Sequence, residues 1–300
     1  MSATNISQQL SFKTLLIAAR LKTLTAALIP VLVGSGLAYG LQEKLDVVML
    51  ICAALSALFI QVGTNFFNDA LDFEKGADTE DRIGPQRITQ SGMLSPKKVK
   101  MLALASFGIA SLLAIPLLLK GGYVILAIGI VSLVCGYLYT GGPFPLAYTG
   151  LGDLFVIIFF GLVAVTGTFY LHTLSFEIEA LMAGLQVGML ATTLIAVNNA
   201  RDIEQDRKAN KKTLAVRFGY KFMQFEIILT QVIPMIICWY WWDRGFHLAA
   251  FLPMVSMLWS FNLIMDILNS KPGPKFNEYL AQSAKIHIVF GLSLAFGFLY

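Results

Sequence analysis

Two sets of oxygen-bearing side chains recur at helical spacing in this chain: Asn65, Asn68, Asp69 and Asp72, then Asn198, Asp202 and Asp206. Steps of three, four and seven put the first set on one helix face, and steps of four do the same for the second. Carboxylates one turn apart repel by about 0.2–0.5 kcal/mol in an isolated helix, so something cationic must compensate them. Mg2+ is the natural candidate, because it takes carboxylate oxygens and is usually held by one or two of them together with substrate phosphates. Basic residues follow each set: Lys75, Arg82 and Arg87 after the first, Arg207, Lys208, Lys211 and Lys212 after the second. Two facing carboxylate sets among such bases are suited to clamp a diphosphate through bridging metal ions.

The elements that carry these sets are apolar. The 300 residues are 57% hydrophobic and 13% charged, with mean hydropathy +0.71, against roughly 25% charged in soluble domains. The fold class that follows is an all-α membrane protein of about nine transmembrane helices, each needing about 20 apolar residues. The expected spans run from Leu21 to Leu41, Val47 to Phe67, Val99 to Leu119, Tyr123 to Thr140 and Leu151 to Leu171. The remainder run from Ile178 to Val197, Phe222 to Trp242, Leu248 to Leu268 and Ala284 to Tyr300, the last interrupted near its start by Lys285 and His287. Gly121-Gly122, the stretch from Gly141 to Pro145, and Lys271-Pro272-Gly273-Pro274 read as turns between spans. Cys52, Cys135 and Cys238 each fall in a different span with no metal-binding spacing and read as packing residues. Met1 to Ser11 lacks the pattern of a removable signal peptide.

Charge orients the bundle. With the N-terminus inside, only Lys44, Lys120 and Arg244 of the 22 lysines and arginines face outward, a bias that places the excess, and both acidic sets, on the cytoplasmic side. The C-terminus then lies on the opposite side, in a cell (inner) membrane. Helix ends meet water and are polar anyway, which accounts for Asp78 or Glu80 taken singly, and the positive-inside bias accounts for Lys97, Lys98 and Lys100. It does not account for Asn65, Asn68 and Asn198, which sit at or within the span boundary where any residue could have been apolar. The two sets lie at the ends of spans two and six and share an Asn-x-x-x-Asp core, an echo expected of an internal repeat of about four helices. Its first motif covers residues 65–87 and its second 198–219, within one integral-membrane domain over residues 1–300. A parallel repeat brings two helix ends to equivalent positions around a central cavity.

Asn68-Asp69-x-x-Asp72, followed by Lys75-Gly76-Ala77-Asp78 and Arg82-Ile83-Gly84-Pro85-Gln86-Arg87, resembles the first aspartate-rich region of UbiA-type intramembrane prenyltransferases. The Lys-Gly-x-Asp and Arg-x-Gly-Pro-x-Arg portions are most similar to the 1,4-dihydroxy-2-naphthoate branch. Asn198-Asn199-x-Arg201-Asp202-x-x-x-Asp206-Arg207 through Lys211-x-Thr213 is similar to the second region, as is Tyr139-Thr140-Gly141-Gly142-Pro143 leading to Gly150-Leu151-Gly152-Asp153. The chain departs from the family pattern at Gly76, where a third Asp is usual and Asp78 is the nearest substitute. It departs again at Asn210, which replaces a Gly but tolerates a left-handed backbone better than most residues.

The resemblance implies Mg2+-dependent transfer of a polyprenyl chain from its diphosphate to an aromatic acid with loss of carbon dioxide, giving demethylmenaquinone. It implies that Asn68, Asp72, Asp202 and Asp206 hold the metal with help from Asp69 and Asp78. Asn65, Arg82, Arg87, Arg207 and Lys211 are then expected to bind the diphosphate, and Asp72, Asp202, Lys211 and Tyr139 to act in the chemical step. Tyr139 is expected near the allylic carbon, where an aromatic face attracts developing positive charge. The expected partners are polyprenyl diphosphate, an aromatic acid and the bilayer, with no nucleic acid and no obligate protein. 4-Hydroxybenzoate is the alternative acceptor. A cation transporter is the alternative from another class, although transport sites usually lie near the bilayer midplane rather than at one face. None of His172, His247 and His287 offers itself as a general base.

Overall fold

The structure, a computed structural model, describes residues 19–79 and 82–300. Met1 to Ser11 and Glu80, both used in the sequence reading, lie outside the described residues. Within them every regular element is helical, the solution that satisfies backbone polar groups inside lipid without an open sheet edge. The long elements are α1 (Leu21–Gln42), α2 (Val47–Glu74), α3 (Pro96–Leu113), α4 (Ile115–Leu138) and α5 (Gly152–Thr173). They continue with α6 (Ile178–Arg201), two short helices α7 (Ile203–Lys208) and α8 (Leu214–Phe218), then α9 (Tyr220–Asp243), α10 (His247–Leu268) and α11 (Phe276–Gly297). Eight of them are long and apolar enough to cross a membrane. Helix α3, with 18 residues and Lys97, Lys98 and Lys100 at its start, is the remaining long helix.

Local chemistry sets the boundaries. Asp46 caps α2 by accepting hydrogen bonds from the Val48 and Met49 amides, and Ser95 caps α3 ahead of Pro96 at its first turn. The chain leaves helical geometry at Gly122 (φ 59, ψ −145), so the expected turn at Gly121-Gly122 falls inside the range of α4. Helix α2 extends past Phe67 to Glu74, which makes the whole first acidic set helical. Helix α11 begins at Phe276 rather than Ala284. Lys285 and His287 do not stop it, because Lys285 lies over the Trp259 ring at 4.1 Å and His287 is fully buried. At the end of the bundle remote from the acidic motifs, Lys120 pairs with Asp46 at 2.9 Å and Arg244 with Glu179 at 3.1 Å.

The largest apolar core runs between α1, α5, α6, α9 and α11, around Phe169, Leu190, Trp241, Phe290 and Phe298. One close approach within it shapes the site. Residues Ile157–Val163 of α5 form a π-helical segment, and Gly161 there lies so near α6 that an added Cβ would sit 2.3 Å from the Gly184 carbonyl oxygen and 2.6 Å from Gly188 Cα. Small residues permit such contact between membrane helices, and Phe159 and Phe160 of the same segment line an internal cavity.

Candidate functional site

The C-terminal ends of α2 and α6 converge on a polar cavity of about 570 Å3. Asn68 and Asp72 from α2, Asp78, Arg82 and Arg87 from the following loop, and Asp202, Asp206 and Lys211 after α6 all line it. Tyr139, just past the end of α4, lines it as well. Tyr139 also lines a second, apolar cavity of about 210 Å3, walled by residues such as Val31, Ile60, Ile128, Phe159 and Leu171. One aromatic ring thus marks the junction between a charged chamber and a greasy one.

Every carboxylate facing the chamber meets a donor. Asn68 donates from Nδ2 to Asp72 Oδ2 at 2.9 Å, and Tyr148 donates its hydroxyl to Asp72 Oδ1 at 2.8 Å. The Tyr148 ring lies beneath Lys75 Nζ at 4.5 Å and Lys211 Nζ at 5.5 Å. Asp78 pairs with Arg82 one turn on and with Arg87 Nε at 3.4 Å, while Arg87 Nη2 stands 3.9 Å from Asp72. Arg201 takes both oxygens of its neighbour Asp202 at 2.7 Å, and Lys211 lies 3.7 Å from Asp206. Burial pushes Asp78 and Asp206 up to about 6 in spite of the cations beside them. For Lys211, burial works against the charge, but Asp206, Asp72, Asp202 and Asp78 together outweigh it and hold the ammonium above its usual range. Burial, reinforced by Asp153 and Asp72, raises the Tyr139 hydroxyl, which therefore stays protonated.

Three expected site residues stand elsewhere. Asn65 turns its amide to the Ala19 carbonyl at 2.9 Å and to Thr23 at 3.1 Å, tying α2 to α1 rather than lining the chamber. Asp69 is one turn from Asp72 on α2, but its two oxygens accept from the Ile88 and Thr89 amides at 3.1 and 2.9 Å. It anchors the loop that carries Arg82 and Arg87, and both of its oxygens are occupied. Arg207 is 55% exposed and pairs with Glu204 at 2.7 Å, outside the chamber. Successive helical residues point in directions about 100° apart, and spacing alone does not say which of Asn68 and Asp69 looks inward.

The structure adds residues that spacing did not single out. Arg20, preceding α1, donates to Asn68 Oδ1 at 2.5 Å and lines the chamber with Arg201. Asp153, 3% exposed, lies 3.4 Å from the amide of Asn199, another lining residue. Tyr148 gave no signal beyond its place in a loop of turn residues. Both expected backbone departures have a geometric account: Gly76 sits at φ +69, where an aspartate would be strained, and Asn210 at φ 54.

The donors fit a diphosphate-bound magnesium ion better than a free-standing metal centre. Among the described residues no three His, Cys, Asp or Glu side chains gather into one metal-binding group, whereas Mg2+ commonly needs only one or two carboxylates when phosphates complete its shell. Asp78 Oδ2 and Arg87 Nε face each other at 3.4 Å without making a hydrogen bond, and Arg87 Nη1 is buried with no hydrogen-bond partner, a costly arrangement that an arriving anion would relieve.

The family profile described as the UbiA prenyltransferase family matches residues 27–284. The chain belongs to that family. It is 36% identical over 292 residues to the 1,4-dihydroxy-2-naphthoate octaprenyltransferase of Haemophilus influenzae, covering 93% of this chain and 94% of that one. It is 40% identical over 200 residues to the protein of the same name from Bacillus subtilis, where the match spans 66% of this chain and 64% of the relative. A UbiA homolog from Archaeoglobus fulgidus bound to GPP and Mg2+ superposes with TM-score 0.71 over 95% of this chain and 99% of that chain, at 17% identity. A UbiA homolog bound to DMAPP and Mg2+, from the same organism, gives 0.66. This family member is thus a multi-pass membrane prenyltransferase.

Proposed function

We propose that this UbiA-family enzyme transfers a polyprenyl group from polyprenyl diphosphate to 1,4-dihydroxy-2-naphthoate with release of carbon dioxide, at the cytoplasmic face of a cell membrane. The observation that carries the reading is the junction at Tyr139. A chamber holding both acidic motifs and Arg82, Arg87 and Lys211 meets an apolar cavity there, as a diphosphate with a hydrocarbon tail requires. The acceptor is chosen on the relatives of that name and on the Lys75-to-Arg87 motif.

Asn68, Asp72, Asp202 and Asp206 would hold Mg2+ on the diphosphate, with Asp78 at the rim. The metal, when bound, neutralises the diphosphate and stabilises charge on it as a leaving group. Arg82, Arg87 and Lys211 supply fixed positive charge to the same oxygens, in a chamber where they need no reorganisation as the bond breaks. The allylic carbon–oxygen bond cleaves with its electron pair going to the diphosphate, and Tyr139 presents its ring to the carbon left electron-poor, an attraction worth about 0.5–2 kcal/mol. The ring of the acceptor gives a pair to the new carbon–carbon bond. The pair released as carbon dioxide departs restores the ring, so no net proton leaves and no histidine base is needed. The apolar cavity keeps water from the carbocation-like carbon.

The test offers octaprenyl diphosphate to membranes containing the protein, with 1,4-dihydroxy-2-naphthoate or 4-hydroxybenzoate, before and after chelation. Product from the naphthoate that disappears on chelation and returns with magnesium is expected. Product from 4-hydroxybenzoate alone overturns the choice of acceptor, and undiminished product under chelation overturns the metal.

A further inference from the structure

The two acidic motifs, beginning at Asn65 and Asn198, belong to different helices, yet their relative placement runs through a residue of neither. Asn277, in the first turn of α11, accepts from Arg201 Nη1 at 2.7 Å through its Oδ1 and donates from Nδ2 to the Ile83 carbonyl at 3.1 Å. The same amide nitrogen reaches the Pro274 carbonyl at 3.0 Å, which fixes the side chain against the start of its own helix. Arg201 passes the constraint on, since its Nε and Nη2 hold both oxygens of Asp202 at 2.7 Å. Ile83 lies in the loop between Arg82 and Arg87, and Gly84 beside it leaves so little room that an added Cβ would stand 2.7 Å from Arg201 Nη2 and 3.0 Å from Arg82 Nη2.

We propose that Asn277 is a positioning residue that sets the distance between the two halves of the diphosphate site, by holding Arg201, and through it Asp202, to the loop bearing Arg82 and Arg87. Its amide is well matched to the task. It accepts from a guanidinium with one end and donates to a backbone carbonyl with the other, a pairing that an ionised carboxylate, which only accepts, cannot reproduce in both directions at once. The buried guanidinium of Arg201 is 3% exposed, so loss of its Asn277 contact leaves a buried donor unsatisfied and free to reorient. The inference rests on the proposed function, because it assumes that the chamber binds a magnesium diphosphate.

The experiment measures binding of magnesium pyrophosphate by calorimetry to the purified full-length wild type, Asn277→Ala and Asn277→Asp, with melting temperature and steady-state prenyl transfer for each. Asn277→Ala is expected to bind about tenfold more weakly, in line with loss of a hydrogen bond to a charged group, and to raise the half-saturating diphosphate concentration by a similar factor. Its rate at saturation should stay within about twofold, whereas a merely unstable protein loses rate in proportion to its active fraction. Asn277→Asp keeps the acceptor for Arg201 but turns an oxygen toward the Ile83 carbonyl, and should lie between the two. Should the alanine variant not fold, the aspartate variant decides, and wild-type affinity in it overturns the bridge. Wild-type affinity in Asn277→Ala overturns the inference and leaves the function standing. Absence of pyrophosphate binding to the wild type overturns both.

Discussion

Tyr148→Phe isolates one atom of the site. The Tyr148 hydroxyl donates to Asp72 Oδ1 at 2.8 Å, while Asn68 holds Oδ2 at 2.9 Å, so the carboxylate is fixed at both oxygens. Phenylalanine keeps the ring beneath Lys75 and Lys211, at 4.5 and 5.5 Å, and removes only the hydroxyl. A hydrogen bond to a charged acceptor contributes about 1.5–3 kcal/mol, which corresponds to a loss of about 10- to 100-fold in kcat/KM for the prenyl diphosphate if Asp72 acts from that position. Because Asp72 is proposed to act on magnesium, the loss should be greatest at limiting Mg2+ and shrink as the metal is raised. Tyr148→Ala removes the ring as well, and each exposed or partly exposed cation–π contact adds about 0.5–1 kcal/mol, so it should be several-fold worse again. Initial rates across a magnesium titration, with octaprenyl diphosphate varied at each concentration, read these quantities directly. Kinetics of Tyr148→Phe within twofold of wild type at every Mg2+ concentration would refute the idea that Asp72 works from the orientation seen here.

Further outcomes follow from the same geometry. Arg207→Ala should leave kcat/KM within about twofold, because its side chain is 55% exposed and paired with Glu204 away from the chamber; a tenfold loss in the prenyl-transfer assay would return it to the site. Gly161→Ala should cost about 1–3 kcal/mol of stability through overpacking against Gly184 and Gly188, read as a lower melting temperature in detergent together with weaker binding of long-chain over short-chain diphosphates. Ligand-free protein binds protons at Asp78 and Asp206 between about pH 4 and 6 that the unfolded chain has already released. Their contribution to stability is therefore present at low pH and lost as pH rises through 6. Magnesium pyrophosphate, which favours the ionised carboxylates, should raise the melting temperature more at pH 7 than at pH 5, and an equal shift at both would contradict the assignment.

Much of the fold was legible because a bilayer leaves few options. Long apolar runs must be helices when no water is present to satisfy the backbone, so Val47–Glu74, Ile178–Arg201 and Tyr220–Asp243 lie close to where hydropathy puts them. Boundaries were less legible where polar residues interrupt a run. Lys285 and His287 suggested a late start for the last helix, but Lys285 finds the Trp259 ring and α11 begins at Phe276. That early start is what brings Asn277 to the site at all.

Residue types and spacing alone determined that two oxygen-rich helix ends exist, that bases accompany them, and that the chemistry suits a cation with a diphosphate. These conclusions follow from local helix geometry and the cost of carboxylates at a membrane, neither of which needs the third dimension. Tertiary structure decided which members face the chamber. Asp69 and Asp72 are three residues apart, yet Asp72 looks into the cavity and Asp69 caps a loop with two backbone amides. Arg20, Tyr148 and Asn277 entered only when distant segments met. The reason is that a side chain's direction is set by what its helix packs against, and that packing is a property of the whole bundle rather than of any one stretch of chain.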